Sequence, residues 1–204
     1  MDTQPTQVEL RAGQPPLGYR EILYWKISEK PSRLLLMNLL SLPLLGLALV
    51  VFFGLALVFR WLPSSLSFSS IHFLALLAGL VLVLVLHELA HGIAMRIFGA
   101  RPRYGVKWDK AMVYATAPGF AFPRGQYLVI ALAPLVSLSL LAVLGMWALA
   151  GSAWVLPLAL AAAINASGAI GDLWITSMVL RYPPHAYIID EEDGMRVFLP
   201  AGEA

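Results

Sequence analysis

The sequence predicts an all-α integral membrane protein: four transmembrane helices, with small cytoplasmic β-hairpins in the loop between helices 2 and 3 and in the C-terminal tail. Three observations predict it. Of 204 residues, 59% are hydrophobic and 13% charged, against ~25% charged in an ordinary soluble domain. Four apolar runs, near 34–59, 71–98, 127–150 and 153–180, each reach the ~20 helical residues that cross a hydrocarbon core. Lys and Arg gather on alternate connections, the pattern of a multi-pass protein in the cell membrane.

Taken in order, residues 1–33 form a cytoplasmic N-terminal segment whose first 17 residues, rich in Gln, Pro and Gly, are expected to be flexible. The first apolar run begins near Leu34 and is 26 residues long, too long for the core of a cleaved signal peptide, so it is expected to stay in the membrane. Residues 34–180 are the four-helix core. Within it, 60–70 is a short Pro/Ser-rich turn, 151–152 is Gly-Ser, and 99–126 is a long polar loop. Residues 181–204 are a cytoplasmic tail.

Orientation follows from the basic residues. Arg20, Lys26, Lys30 and Arg33 precede the first span, Arg101, Arg103, Lys107, Lys110 and Arg124 lie in the long loop, and Arg181 follows the last span. The opposite connections carry only Arg60. Both termini and the long loop are therefore expected on the cytoplasmic side. Trp61, Trp147 and Trp154 fit the outer interface, Tyr127 and Tyr182 the inner one. In the long loop, "YGVKWDKAMVYA" reads as two short strands around Asp109-Lys110; in the tail, "AYIIDEEDGMRVFLP" brackets a turn at Asp193-Gly194.

Several function classes are excluded or narrowed by composition. Zero cysteines leave no disulfide, thiolate nucleophile or thiolate metal ligand. A formal charge of +2, with the basic residues beside apolar segments, gives no nucleic-acid surface. A metal or proton transporter needs ionisable groups through the whole membrane depth, and the outer halves of these spans hold no acidic residue.

The chemistry lies in "VLVLVLHELAHGIAMRIFG". A charge at the centre of a membrane helix costs ~2.5–3.5 kcal/mol on insertion scales, so an ionisable residue there calls for a function. His87-Glu88-Leu89-Ala90-His91 is an HExxH. Residues four apart share a helix face, so both imidazoles can converge on one metal ion while Glu88 reaches a water beside it. A catalytic zinc takes three protein ligands and keeps one position open. Asp172, the sole charged residue of the fourth run, is the candidate third ligand. His87 lies 16 residues from Ile71 and Asp172 lies 19 from Ala153, about 24 and 28 Å along their helices, so both sit toward the same leaflet. Small residues Ala166, Ser167, Gly168, Ala169 and Gly171 permit close helix approach there. Asn165, two turns before Asp172, is the candidate substrate-binding residue, with an interhelical hydrogen bond as the alternative. His72 and His185 read as surface residues.

These residues resemble a known group. The "HELAH" in the cytoplasmic half of one span, "ALAPL" in the next and "GD" in the last are similar to the "putative zincin peptidases" of bacteria and archaea, small relatives of the site-2 protease intramembrane metalloproteases. The similarity runs from about Leu17 to Pro200 and includes "RGQYLVIALAPL" and the acidic turn "DEEDG". The resemblance implies a zinc endopeptidase, with one Zn2+ ion, that cuts transmembrane or membrane-proximal segments, with His87, His91 and Asp172 as ligands and Glu88 as general base. One departure stands out. Site-2 proteases present the aspartate in Asn-x-x-Pro followed by Leu-Asp-Gly, whereas here it sits in Gly-Asp-Leu, seven residues after Asn165 and without that proline. The expected partners are a membrane protein or peptide substrate and the lipid bilayer. The Tyr104 to Thr116 segment is a candidate edge for holding an extended substrate. The competing reading is a non-catalytic membrane scaffold, or substrate-binding protein, that retains the metal site.

Overall fold

A computed structural model of the chain describes residues 13–65, 69–108 and 112–203, without the side chains of Ser28 and His72. The expected flexibility of residues 1–12, the Asp109-Lys110 turn and the surface role of His72 thus lie outside the described residues. Strand β1 (Tyr19–Lys26) and a single 3-10 turn lead into helix α1 (Pro31–Val58), followed by α2 (Ser70–Ile97). Next come β2 (Arg103–Lys107), β3 (Met112–Thr116) and β4 (Ala121–Pro123), then α3 (Arg124–Ala148). Helices α4 (Val155–Gly168) and α5 (Ile170–Val179) precede the hairpin β5 (Tyr187–Glu191) and β6 (Gly194–Pro200).

The all-α, four-span expectation is corrected on two counts. First, the protein is mixed α/β: five helices stand with two sheets among the described residues. β1, β6, β5 and β4 form one antiparallel sheet in that order, so segments before α1, before α3 and after α5 meet at one end of the helices. β4 and β1 are strands that the sequence did not disclose, and β1 is the one with the more distant partner. Its partner lies at the far end of the chain, with Tyr19 opposite Pro200 and Lys26 opposite Gly194. At that last pair the backbones come so close that a Cβ on Gly194 would run into the Trp25 carbonyl, which is why a glycine opens β6.

Second, among the described residues three single helices, α1, α2 and α3, are long and apolar enough to cross a membrane. The run at 153–180 is instead two helices bent by 42° at Ala169. Alone, the 14 residues of α4 reach about 21 Å, short of a bilayer core; four spans result only if α4 and α5 count as one. Gly168 and Gly171 flank the break, where helix propensity is lowest.

Helix packing follows residue size. α4 buries Ala159, Ala162, Ala163 and Ala166 against α1 and α3, a small-residue face that lets helices meet closely in an apolar solvent. Large side chains such as Leu42, Val50, Val81, Leu84 and Leu141 point outward and exposed, as a lipid-facing surface requires. The second core lies where the sheet meets the helix ends: Phe122, Ile188, Met195 and Val197 pack with Met95 of α2 and Ile130 of α3. The β2–β3 hairpin is a separate two-stranded sheet. It is tied to the larger one by Thr116 Oγ1 donating to the Asp190 carbonyl (3.2 Å) and by Lys107 contacting Glu192 (2.7 Å) and Asp193 (3.6 Å).

Candidate metal centre

Within α2, His87, Glu88 and His91 occupy little more than one turn, and the four-residue spacing turns both imidazoles the same way. The bend at Ala169 starts a new helix, and Asp172 stands in its first turn, where the positive end of the helix dipole favours a carboxylate. Asp172 Oδ2 lies 3.0 Å from His87 Nε2, and Oδ1 lies 3.3 Å from His91 Nε2. One ligand atom from each of the three residues falls within 4.8 Å of the others.

The opposite nitrogens of both rings are held as well. His87 Nδ1 is 3.0 Å from Asn165 Oδ1, and His91 Nδ1 is 2.9 Å from the Ile130 carbonyl. Asn165 is oriented by its own amide, which donates to the Pro134 carbonyl (3.2 Å), so the oxygen is the atom that faces His87. Both Nδ1 partners are acceptors, so each Nδ1 carries the proton and donates it. Each Nε2 is left with a lone pair, and both lone pairs face carboxylate oxygens. Three acceptors converging without a donor repel one another. Protonating both rings would set two positive charges against one carboxylate, whereas a divalent cation satisfies all three groups at once. The donor set thus fits a zinc ion held by His87, His91 and Asp172.

Pro134 explains how the Ile130 carbonyl becomes available. Proline has no N–H to donate four residues back, so Ile130 O loses its helical partner in the middle of α3. His91 takes it instead. In the sequence, "ALAPL" carried only a resemblance; the readable signal was an imino acid inside a membrane helix, a place where a freed carbonyl must find another donor.

Glu88 stands apart from the three-residue cluster and lines the same cavity of about 240 Å³. Its carboxylate accepts a hydrogen bond from the Ala115 backbone N–H of β3. Asn165, only 2% exposed, contacts His87 and Pro134 with its two polar atoms. Replacing it with alanine is expected to lower zinc affinity about 10- to 100-fold, the usual effect of removing a partner that orients a ligand. Chelator competition on the purified protein measures this, and unchanged affinity would show that His87 needs no such support. His185 sits away from the cavity with Glu203 at 2.7 Å, both exposed. The cavity also holds a carboxylate not singled out from "DEEDG": Asp190 of β5, whose Oδ1 accepts from the Tyr127 hydroxyl at 2.9 Å.

Two histidines one helical turn apart, a glutamate between them that stands outside the cluster, and a carboxylate closing the set are the groups of a zincin-type metal site. The chain belongs to the family described as "Putative zincin peptidase", whose model matches residues 80–187, the segment that contains all of these groups. A relative from Pyrococcus woesei, described as "Uncharacterized 24.7 kDa protein in gap 5'region", is 29% identical over 155 residues, spanning 74% of this chain and 67% of the relative. No solved structure matches the chain.

Proposed function

We propose that this protein is an intramembrane zinc endopeptidase of the site-2 protease type, cutting peptide bonds in or near transmembrane segments close to the cytoplasmic face. The observation that carries this is the meeting, in one cavity between apolar helices, of a His87–His91–Asp172 cation site, the unligated Glu88 and the backbone of β3. A bound zinc ion would polarise the scissile carbonyl and acidify a water. Glu88 takes one proton from that water as its oxygen bonds to the carbonyl carbon. When the C–N bond breaks, Glu88 returns the proton to the leaving nitrogen.

A helical substrate hides its carbonyls, so it must be held extended to be cut. β3 offers the edge for this. It pairs with β2 on one side only, and its Ala115 N–H points the other way, to Glu88. Backbone groups two residues apart face the same edge of a strand, so Val113 N–H faces the cavity too, and Val113 is among its lining residues. A peptide added along this edge lies beside the catalytic glutamate. Val113→Pro removes that donor and is tolerated on an unpaired edge. It is expected to reduce kcat/KM about tenfold, mainly through KM, as loss of one backbone hydrogen bond would, with zinc content unchanged. Wild-type kinetics in this variant would remove β3 from substrate binding.

The orientation rests on the basic residues around the sheet, against the lone Arg60 at the other end of α1. On this reading residues 34–180 form the membrane core, and the flanking 1–33 and 181–204, joined by β1 and β6, form one cytoplasmic layer. The test is cleavage of a peptide taken from a transmembrane segment by the purified protein in detergent, abolished by a chelator and restored by zinc. Stoichiometric zinc without cleavage of any such peptide would favour the scaffold reading.

A further inference from the structure

Two glycines lie beside the third ligand. Gly171 directly precedes Asp172, Gly168 comes four residues before it, and both line the cavity. Elsewhere in the chain a glycine has a visible reason: Gly92 and Gly194 sit where a Cβ would run into a neighbour, and Gly99 and Gly151 have positive φ. Gly168 and Gly171 have neither, since a Cβ on either would meet nothing within 4 Å. The bend at Ala169 asks for weak helix formers, not for missing side chains. What this pair provides is a bare wall next to the cation site.

One hydrogen bond fixes what faces that wall. Ser167 Oγ donates to the Ser41 carbonyl of α1 at 3.0 Å. α1 leaves the large sheet and α5 returns to it, so the two run in opposite directions. One turn toward the sheet from that bond therefore come Met37 on α1 and Gly171 on α5, and both line the cavity. Met37 is buried, and Trp25 of β1 and Ile175 of α5 extend the same apolar lining. The space between is open on the lipid side, because α1 packs on α4 and α5, and α2 on α3 and α4, with little contact between α1 and α2. Gly168 is accordingly exposed. From another wall of the cavity, Asp190 Oδ2 is buried with no hydrogen-bond partner among the described residues, an atom that a peptide N–H would satisfy.

We infer that Met37, Gly168 and Gly171 form a specificity pocket that receives a large apolar side chain of the substrate, on a residue flanking the scissile bond. The inference rests on the endopeptidase reading. The position follows from Asp172: a peptide carbonyl held at the cation site brings its flanking side chains against the residues next to the ligands, and the bare wall is the one with room for them. The chemistry follows from the lining, which has no charged or hydrogen-bonding side chain among Trp25, Met37, Gly168, Gly171 and Ile175, and from the lipid side, which admits only apolar groups. A small side chain leaves this space unfilled and forfeits its contacts, whereas a leucine or phenylalanine fills it. Met37, unbranched and flexible, adapts the pocket to either.

The experiment uses the full chain, zinc-loaded in detergent, and versions of the cleavable transmembrane peptide of the preceding section that carry Ala, Leu or Phe immediately before the cleaved bond in one series and immediately after it in another. In one of the two series the wild type is expected to prefer Leu to Ala by about tenfold or more in kcat/KM, as a pocket that reads methylene groups does. Gly168→Leu places a side chain in the pocket and should lower that Leu/Ala ratio about tenfold. Met37→Ala widens the pocket and should raise the Phe/Leu ratio about tenfold. Both variants should keep one zinc per chain. A merely structural defect lowers all three peptides together and leaves the ratios alone, and because the two variants act in opposite senses, either decides the question if the other does not fold. Ratios like those of the wild type, a wild type indifferent to side-chain size at both positions, or loss of zinc in both variants would each overturn the inference. Chelator-sensitive cleavage by the wild type alongside any of these results would leave the endopeptidase reading standing. A wild type that cleaves nothing would remove both.

Discussion

Glu88→Gln is expected to leave a protein with its full complement of zinc and almost no turnover. The amide is nearly isosteric with the carboxylate, and its oxygen still accepts from the Ala115 N–H, so the side chain stays in place. It no longer accepts a proton from water. Removing a positioned general base costs typically ~10²–10⁴ in rate, and here the same group is asked to protonate the leaving amine, so the upper end of that range applies. Zinc is retained because Glu88 is outside the cluster of His87, His91 and Asp172. Elemental analysis beside a peptide-cleavage assay reads both quantities on one sample. A variant that cleaves within about tenfold of wild type would take Glu88 out of proton transfer, since general-base loss is larger than that. A scaffold that uses the motif only for structure would keep both its metal and its biological effect in this variant.

The second large effect is expected at the metal itself. His87→Ala and Asp172→Ala should each fail to hold zinc at stoichiometry, with affinity losses beyond the ~10–100-fold that follows loss of an outer partner such as Asn165. The two differ in what they leave behind. Without Asp172, the Nε2 lone pairs of His87 and His91 lose the carboxylate that both now face. Without His87, Asn165 Oδ1 is left buried with no donor. A second readout is thermal. A ligand that binds only the folded state stabilises it by about 2.7 kcal/mol at a hundred times its Kd, so wild type should show a zinc-dependent rise in Tm that both variants lack. Full zinc retention in Asp172→Ala would dismiss the third ligand and reopen the choice among the cavity's carboxylates.

Several parts of the site were legible because their geometry is local. His87 and His91 face one way because a helix repeats every 3.6 residues, and that holds before any tertiary contact forms. Asp172 was legible by exclusion, as the lone charge in an otherwise apolar run. The partners of these groups were not. Asn165 read equally as a substrate-facing amide or as one side of an interhelical hydrogen bond, and which polar group it would meet depended on how α4 lies against α2 and α3. Pro134 frees a carbonyl wherever it sits in a helix, but only the crossing of α2 and α3 decides that His91 receives it. The same holds for β1. Its residues pair with a strand 168 to 181 positions away, and no pattern within eight residues specifies that partner. Asp190 was hidden among four neighbouring carboxylates, all of which line the cavity, until the tertiary structure set its Oδ1 against the Tyr127 hydroxyl.

By itself, then, the sequence determined that this chain has apolar helices long enough for a membrane, that one of them carries a His-Glu-His turn whose geometry suits a metal ion, and that any ligand must be His, Asp or Glu. These follow from composition and from helical periodicity, both of which act over a few residues. Tertiary structure alone decided that the last apolar run bends at Ala169 to start a helix under Asp172, that acceptors behind both imidazoles fix their tautomers, and that three distant segments build one sheet beside the cavity. The physical reason is that hydrogen bonds between distant segments have no local signature: their partners are chosen by packing, and packing is a property of the whole chain.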